Sequence, residues 1–369
     1  MAYTTIDDPS QYFQIDLYTG DGQGSGNNVI TNDGNSDLQP DWIWTKEITG
    51  TSGNQNHTII DTSRGINKQI FANLDSQEAT SSAFITQIDT DGFRLGDNAN
   101  INNNGSSYVA WQWKCNGGTT SSDSNGSITS TVQVNTNAGF SIVQYTGQGA
   151  NRDVGHGLGV IPKWIIIKNL SKSAGEGWVV YHGSLTDQPE TDGLHLNLTN
   201  ATNDSADFFG DQAPSTTDFG VSGDDRSGGS FNYVAYCFTE QQGYNKFGSY
   251  TGNGNSDGPY IYTGFKPAWV MIKVFSGNTG GWDMYDNKRS SFNGQVSMLQ
   301  ANANSSAATS DAVDFLSNGF KIRNTSGNQN GNGNSHVYMA FAELPFVSSK
   351  GVPVTARWKT FYFLYSFLS

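Results

Sequence analysis

Read for alternation, the chain is a series of short apolar runs set in text rich in Gly, Asn, Ser and Thr. The clearest run, "GVIPKWIIIK" at 159–168, returns as "GFKPAWVMIK" at 264–273 and more loosely as "LQPDWIWTK" at 38–46. Each has a proline, one spacer, a tryptophan and an apolar stretch that closes on lysine. Proline cannot donate to a sheet ladder, so it marks the start of a strand. The β-branched run after it has strand length, and its lack of alternation predicts a strand buried on both faces or central in a sandwich. "YVAWQW" from Tyr108, "YVAYCF" from Tyr233 and "YMAFAE" from Tyr338 read as the partner core strands. The Asn/Gly text ahead of each, "NNNGS", "RSGGSF" and "GNGNS", is the vocabulary of hairpin turns. Lys46, Lys168 and Lys273 close the apolar runs, and their long stems are expected to carry the charge to water.

These runs belong to a repeat. "YTG", one residue and Gly occur at Tyr18–Gly22, Tyr145–Gly149 and Tyr250–Gly254. From those tyrosines to Pro40, Pro162 and Pro267 is 22, 17 and 17 residues. From the prolines to Tyr108, Tyr233 and Tyr338 is 68, 71 and 71 residues. "DGFRLG" at 91–96, "TDFGVSG" at 217–223 and "NGFKIR" at 318–323 precede the tyrosine strands, and "FANL", "HLNL" and "LQAN" form a softer landmark. The expectation is an all-β chain of three tandem β-sandwich repeats, jelly-roll or lectin-like, at 14–115, 139–241 and 245–346, each with its own core. Trp42, Trp164 and Trp269 then take equivalent buried positions. Residues 1–13 read as an N-terminal docking segment and 116–138 as a linker, although "SITSTVQV" within it alternates like a strand. The joint between the second and third copies is short and is expected to be stiff. Residues 347–369 form an aromatic C-terminal tail; its "FYFLYSFL" is apolar at nearly every position, so something must cover it.

Composition supports this reading. Of 369 residues only 14% are charged, while 12% are aromatic and 44 are glycine, which favours turns and large-ring cores over helices. The net charge of −13 argues against nucleic acid, whose phosphates need clustered Lys and Arg, and against an anionic membrane surface. Cys115 and Cys237 lie far apart near apolar strands and read as buried free thiols. No basic, apolar leader and no run of about 18 apolar residues is visible, so folding in a cytoplasm without membrane insertion is expected.

Several segments together, "AYTTIDDPSQYF", "LQPDWIWTKE", "DTSRG", "DGFRLGDNANINNNGSSYVAW", "VGHGLGVIPKWIIIKN", "KFGSYTGNGNSDGPYIYTGFKPAWVMIK" and "YMAFAELPF", resemble a family of marine bacteriophage tail-fibre or appendage proteins. The resemblance covers nearly the whole chain except the final "WKTFYFLYSFLS". It implies a virion location, contact with other virion proteins, adhesion to a host-surface glycan, and a homotrimer. The alternatives are a polysaccharide depolymerase, or an architectural capsid or tail component without receptor contact.

Signals for chemistry are sparse, and no catalytic residue, metal ligand or cofactor is expected. His156 in "VGHGLG" lacks a partnered nucleophile and reads as a turn histidine. His57, His182, His195 and His336 have no metal-ligand spacing. Asp224 and Asp225 are adjacent, and Asp91, Asp192 and Asp257 each precede Gly, which is turn grammar rather than a spaced carboxylate pair. "NDGNSD" at 32–37 lacks the terminal Glu of a calcium loop. Trp178 and Trp282 follow Gly-rich loops at matching places and could face a sugar or be buried. The carbohydrate-binding residues therefore stay unknown at this stage.

Overall fold

The structure, a computed structural model, describes residues 4–354 except 25, 27, 51–53, 173, 174, 176 and 292. The aromatic stretch 357–369 lies outside the described residues. Twelve strands carry the architecture. They are β1 (Phe13–Thr19), β2 (Trp42–Thr49), β3 (Thr58–Asp61) and β4 (Ser107–Trp113); β5 (Phe140–Thr146), β6 (Trp164–Asn169), β7 (Trp178–His182) and β8 (Asn232–Phe238); and β9 (Asn245–Thr251), β10 (Phe265–Ser276), β11 (Trp282–Asp286) and β12 (Ser335–Pro345). They form three antiparallel sheets with one order: β1-β4-β2-β3, β5-β8-β6-β7 and β9-β12-β10-β11.

The register matches as well as the order. Thr19 pairs Ser107, Thr146 pairs Asn232 and Thr251 pairs Ser335. Trp42 pairs Trp113, Trp164 pairs Phe238 and Trp269 pairs Phe341. Trp42, Trp164 and Trp269 thus hold equivalent positions, and all three are fully buried. Against each sheet lies a short outer strand, Gly92–Leu95, Asp218–Val221 or Gly319–Ile322, whose Phe93, Phe219 or Phe320 is buried.

The continuous apolar runs have a simple cause. Along β6, Ile165 and Ile167 face the second copy's own small core, while Trp164 and Ile166 face the other way. Val270 and Ile272 against Trp269 and Met271 do the same in β10, as does Ile43 against Trp42 and Trp44 in β2. The opposite faces of all three sheets meet in a single central cluster. Trp42 lies 5.7 Å from Phe238, Trp113 lies 6.0 Å from Trp269, and Phe238 lies 5.7 Å from Phe341, ring centre to ring centre. The expectation of one core per copy is therefore corrected: each copy has a small core of its own, and the largest core belongs to all three.

The magnitudes favour this arrangement. A buried tryptophan of 150–250 Å² is worth about 4–6 kcal/mol of gross transfer energy. The indole N–H groups of Trp42, Trp113, Trp164 and Trp269 find no acceptor among the described residues. An unpaired buried donor costs only about 1–3 kcal/mol, so burial wins.

The sheets also latch in a ring. From the first copy to the second, the Tyr236 hydroxyl donates to Asp61 Oδ2 (2.7 Å), and Asp61 holds buried Arg64 at 2.6 Å. From the third copy to the first, the Trp111 indole donates to Asp286 Oδ2 (3.0 Å), and Arg289 caps that indole face 5.5 Å from its centre. Between the second and third, His182 Nδ1 accepts from Ser184 N, so Nε2 carries the proton that meets the Tyr338 carbonyl at 3.1 Å.

Four further readings are corrected. Lys46, Lys168 and Lys273 are buried instead of reaching water. Lys168 donates to Asp75 O (2.9 Å) and Lys273 to Thr199 O (3.0 Å), each on the preceding copy, while Lys46 donates to Glu47 O (2.8 Å). Burial pulls Lys46 and Lys273 down to about 8. Tyr338 is not the counterpart of Tyr108 and Tyr233. That place falls to His336, stacked on Tyr250 at 4.8 Å as Tyr108 stacks on Tyr18 at 5.1 Å. A two-residue slip keeps the same sheet face, so the sequence pattern conceals it. The 116–138 linker supplies two strands, Ser121–Asp123 and Ser130–Asn135, to the edge of the second sheet. Residues 4–13 pack onto the body, where Ile6 and Phe13 join the central cluster.

Two predictions follow from the latches. Asp61→Ala removes one of the two carboxylates on buried Arg64, which keeps Glu78 (2.8 Å), and leaves the Tyr236 hydroxyl without its acceptor, so urea unfolding should show a loss of about 2–3 kcal/mol. Arg94→Ala, which breaks the half-exposed pair with Asp89, should cost at most about 1 kcal/mol. Burial lowers His182 to about 4, below the roughly 6.5 of an unfolded histidine. The unfolded chain then binds the extra proton between those values, so this contribution to stability is lost as pH falls from about 6.5 to about 4. Asp16 and Asp283, raised by burial to about 7 and about 6, act in the opposite sense as pH rises. A pH series of wild type against His182→Gln isolates the histidine, and the acid-side loss should shrink in the variant.

Candidate binding surface

The side chains singled out from sequence are mostly structural. Trp178 and Trp282 are buried, and their indoles donate to the carbonyls of Phe71 (2.9 Å) and His195 (2.8 Å) on the preceding copy. Neither offers a face to a sugar. His156 is buried in its turn: Nδ1 accepts from Leu158 N (3.1 Å), Nε2 lies 3.3 Å from Ser215 O, and burial lowers its pKa. His57 accepts from the Trp44 indole at 2.9 Å.

The carboxylates are likewise occupied by loop duties. Asp225 pairs with Lys172 (2.8 Å), Asp224 with Arg226 (3.7 Å) and Asp257 with Lys321 (2.7 Å). Asp91 accepts from Leu38 N and Asp192 from Thr186 Oγ1. In the 32–37 loop, Asn32 donates to Leu38 O and Asp33 pairs with Lys288. No group of three His, Cys, Asp or Glu side chains with metal-binding proximity exists among the described residues. Cys115 and Cys237 are free and buried.

A cleft bordered by exposed aromatic rings lies elsewhere. The short strand Tyr260–Tyr262 pairs with Gly319–Ile322 at the margin of the third copy's outer layer. Strand alternation turns Ile261 into the core and leaves Tyr260 46% and Tyr262 58% exposed on one face. Tyr260 is fixed by donating to Asn318 Oδ1 (2.7 Å). Its phenol pKa is raised by partial burial and by the neighbouring Tyr262.

Tyr262 walls a cleft of about 400 Å³ together with Glu240, Gln242, Lys246, Thr263 and Phe346. Gly264 turns the chain at its rim with φ +85, a backbone state that a side chain would strain. Glu240 is held by Lys246 (3.3 Å) and by Phe247 N (3.0 Å). The Tyr262 ring beside a carboxylate, an amide and an ammonium, with the Tyr260 ring on the same strand face, can cover the apolar face of a sugar and meet its hydroxyls. The cleft volume falls within the range of small-ligand sites. The signal lay in "PYIYTG", where one buried isoleucine separates two tyrosines at strand spacing.

The chain belongs to the family described as a domain of unknown function (DUF7483), whose model matches residues 8–345. Neither a curated protein nor a solved structure matches it.

Because the tyrosines are exposed and their rings carry no core packing, Tyr262→Ala should leave the urea midpoint within about 0.5 kcal/mol of wild type. Trp178→Ala, at a fully buried indole, should lose about 3–5 kcal/mol. Equilibrium unfolding of both variants checks the assignment of one as surface and the other as core.

Proposed function

We propose that this chain is a non-enzymatic adhesion module of a bacteriophage appendage that binds a host-surface glycan through the Tyr262 cleft and the Tyr260 ring on the same strand face. The observation that carries the binding part is the pair of exposed tyrosines on one strand face, of which Tyr262 walls a cleft of about 400 Å³ lined by both polar and apolar groups. The virion part rests on the resemblance of the sequence segments quoted above. The other virion proteins are its mounting partners, and a homotrimer is part of the proposal. Each chain then brings one cleft, and three linked weak sites gain avidity by roughly 10²–10⁴.

The test is binding of fluorescent protein to host cells and to a glycan array, with a Tyr260→Ala/Tyr262→Ala double variant beside it. The expected result is saturable binding that the double variant weakens at least tenfold while its unfolding curve is unchanged. Release of reducing sugar from envelope material would favour a depolymerase. Binding that is absent in both proteins, with normal incorporation into particles, would favour a purely architectural part.

A further inference from the structure

What the three copies share builds the core, so a ligand is best sought where one copy departs from the others. The junction of the first and second copies is such a place. The face that the second sheet turns to the centre is apolar at Phe140, Ile142, Val234 and Tyr236. Further along the same face it becomes polar, where Thr131 pairs Gln144 and Thr146 pairs Asn232. These four residues line a cleft of about 360 Å³ together with Arg64, Lys68 and Glu78 of the first copy.

The first copy's contribution is set on a common scaffold. Glu78 N donates to Leu170 O (2.9 Å), Thr202 N to Phe275 O (3.0 Å) and Ala307 N to Ile48 O (3.0 Å). The three residues hold one place in the ring, and only the first copy puts a carboxylate there. Arg64 follows Asp61 by three residues, where the second copy has Leu185 and the third has Arg289. Arg289 uses its guanidinium within its own copy, on Asp286 and on Met284 O (3.0 Å). Arg64 is buried and held by Asp61 at Nε (2.6 Å), Glu78 at Nη1 (2.8 Å) and the Tyr236 hydroxyl at Nη2 (3.4 Å). A guanidinium has five N–H donors, so each terminal nitrogen keeps one beside the cleft. Lys68 meets Glu78 at 2.7 Å and keeps two donors. Gln144 donates to Ser63 O (3.0 Å), which leaves its Oε1 as an acceptor. Asn232 Oδ1 accepts from Thr146 (2.9 Å), which leaves its Nδ2 as a donor.

We propose that this cleft binds an uncharged saccharide unit, as a second carbohydrate site separate from the Tyr262 cleft. Each sugar hydroxyl both donates and accepts, and the cleft sets donors and acceptors side by side. The guanidinium, the carboxylate and the two amides are planar groups with two bonding positions, which suits a pair of adjacent ring hydroxyls. Arg64 and Lys68 are balanced by Asp61 and Glu78, so no net charge calls for an ion. An acidic sugar would be set against Glu78, and like charges in contact are costly. The volume lies within the range of small-ligand sites.

Backbone amide NMR titration of the full chain tests this. The probes are the methyl glycosides of glucose, galactose, mannose and N-acetylglucosamine, with methyl glucuronide as the charged control. At least one neutral probe should shift the Thr131, Gln144, Thr146 and Asn232 amides saturably. Thr131→Val/Asn232→Ala, altered only at exposed residues, should weaken that binding at least tenfold with an unchanged urea midpoint. Methyl glucuronide should bind at least tenfold more weakly than the best neutral probe. Glu78→Gln should narrow that gap, which a merely structural Glu78 would not do. The Tyr260→Ala/Tyr262→Ala variant should leave these shifts intact, so failure of either carbohydrate site is read separately. Shifts absent at the four amides with every neutral probe would overturn the proposal. So would binding that Thr131→Val/Asn232→Ala leaves unchanged, or a glucuronide that binds as tightly as the best neutral probe.

Discussion

One constraint organises the molecule: three sheets share a centre built from tryptophan and phenylalanine, so each sheet must be apolar on both faces. That requirement explains why β2, β6 and β10 do not alternate, and why the lysines that end these runs cannot reach water. At the end of the shared centre the next available oxygens are carbonyls of the preceding copy, and Lys168 and Lys273 donate to them. Burial leaves Lys46 and Lys273 with depressed pKa values. A desolvated ammonium is expensive, and these three are tolerated because each has a carbonyl partner inside a core that contributes far more.

The ring of latches follows from the same geometry. Once the sheets meet face to face, the end of the third strand of one copy and the turn after it abut the fourth strand of the next. That turn carries Asp61 with Arg64 in the first copy and Asp286 with Arg289 in the third. In both cases the carboxylate is satisfied by its own arginine and by an aromatic donor from the neighbour, which makes the contact selective as well as buried. The second copy uses a neutral histidine in the same place, and its contact to Tyr338 O carries no ion pair. The copies are therefore similar in backbone and distinct in the chemistry by which each recognises its neighbour.

Much of the fold was legible in the sequence, and the misses have physical reasons. The proline–tryptophan runs marked the second strand of each copy, and the Asn/Gly text marked the turns. The shared centre was hidden because a strand central in an isolated sandwich and a strand covered by two neighbouring copies both read as unbroken apolar runs. Ser121–Asp123 and Ser130–Asn135 hid in Ser/Thr-rich text that resembles a linker, although "STVQV" carried a period of two. The His336 position was misaligned because tyrosine occurs two residues later on the same face. Candidate ligand residues fared worst: the tryptophans near glycine loops turned inward, and the exposed Tyr260 and Tyr262 sat in a three-residue strand too short to be noticed. Aromatic content signals a core or a platform equally, and only the neighbours decide which.

The claim that the three copies form one cooperative unit is tested most directly by scanning calorimetry of the full chain. A shared centre couples the sheets, so the account predicts one transition whose calorimetric and van't Hoff enthalpies agree. Two or three resolvable transitions, or a calorimetric enthalpy two to three times the van't Hoff value, would contradict it and return the chain to three independent sandwiches.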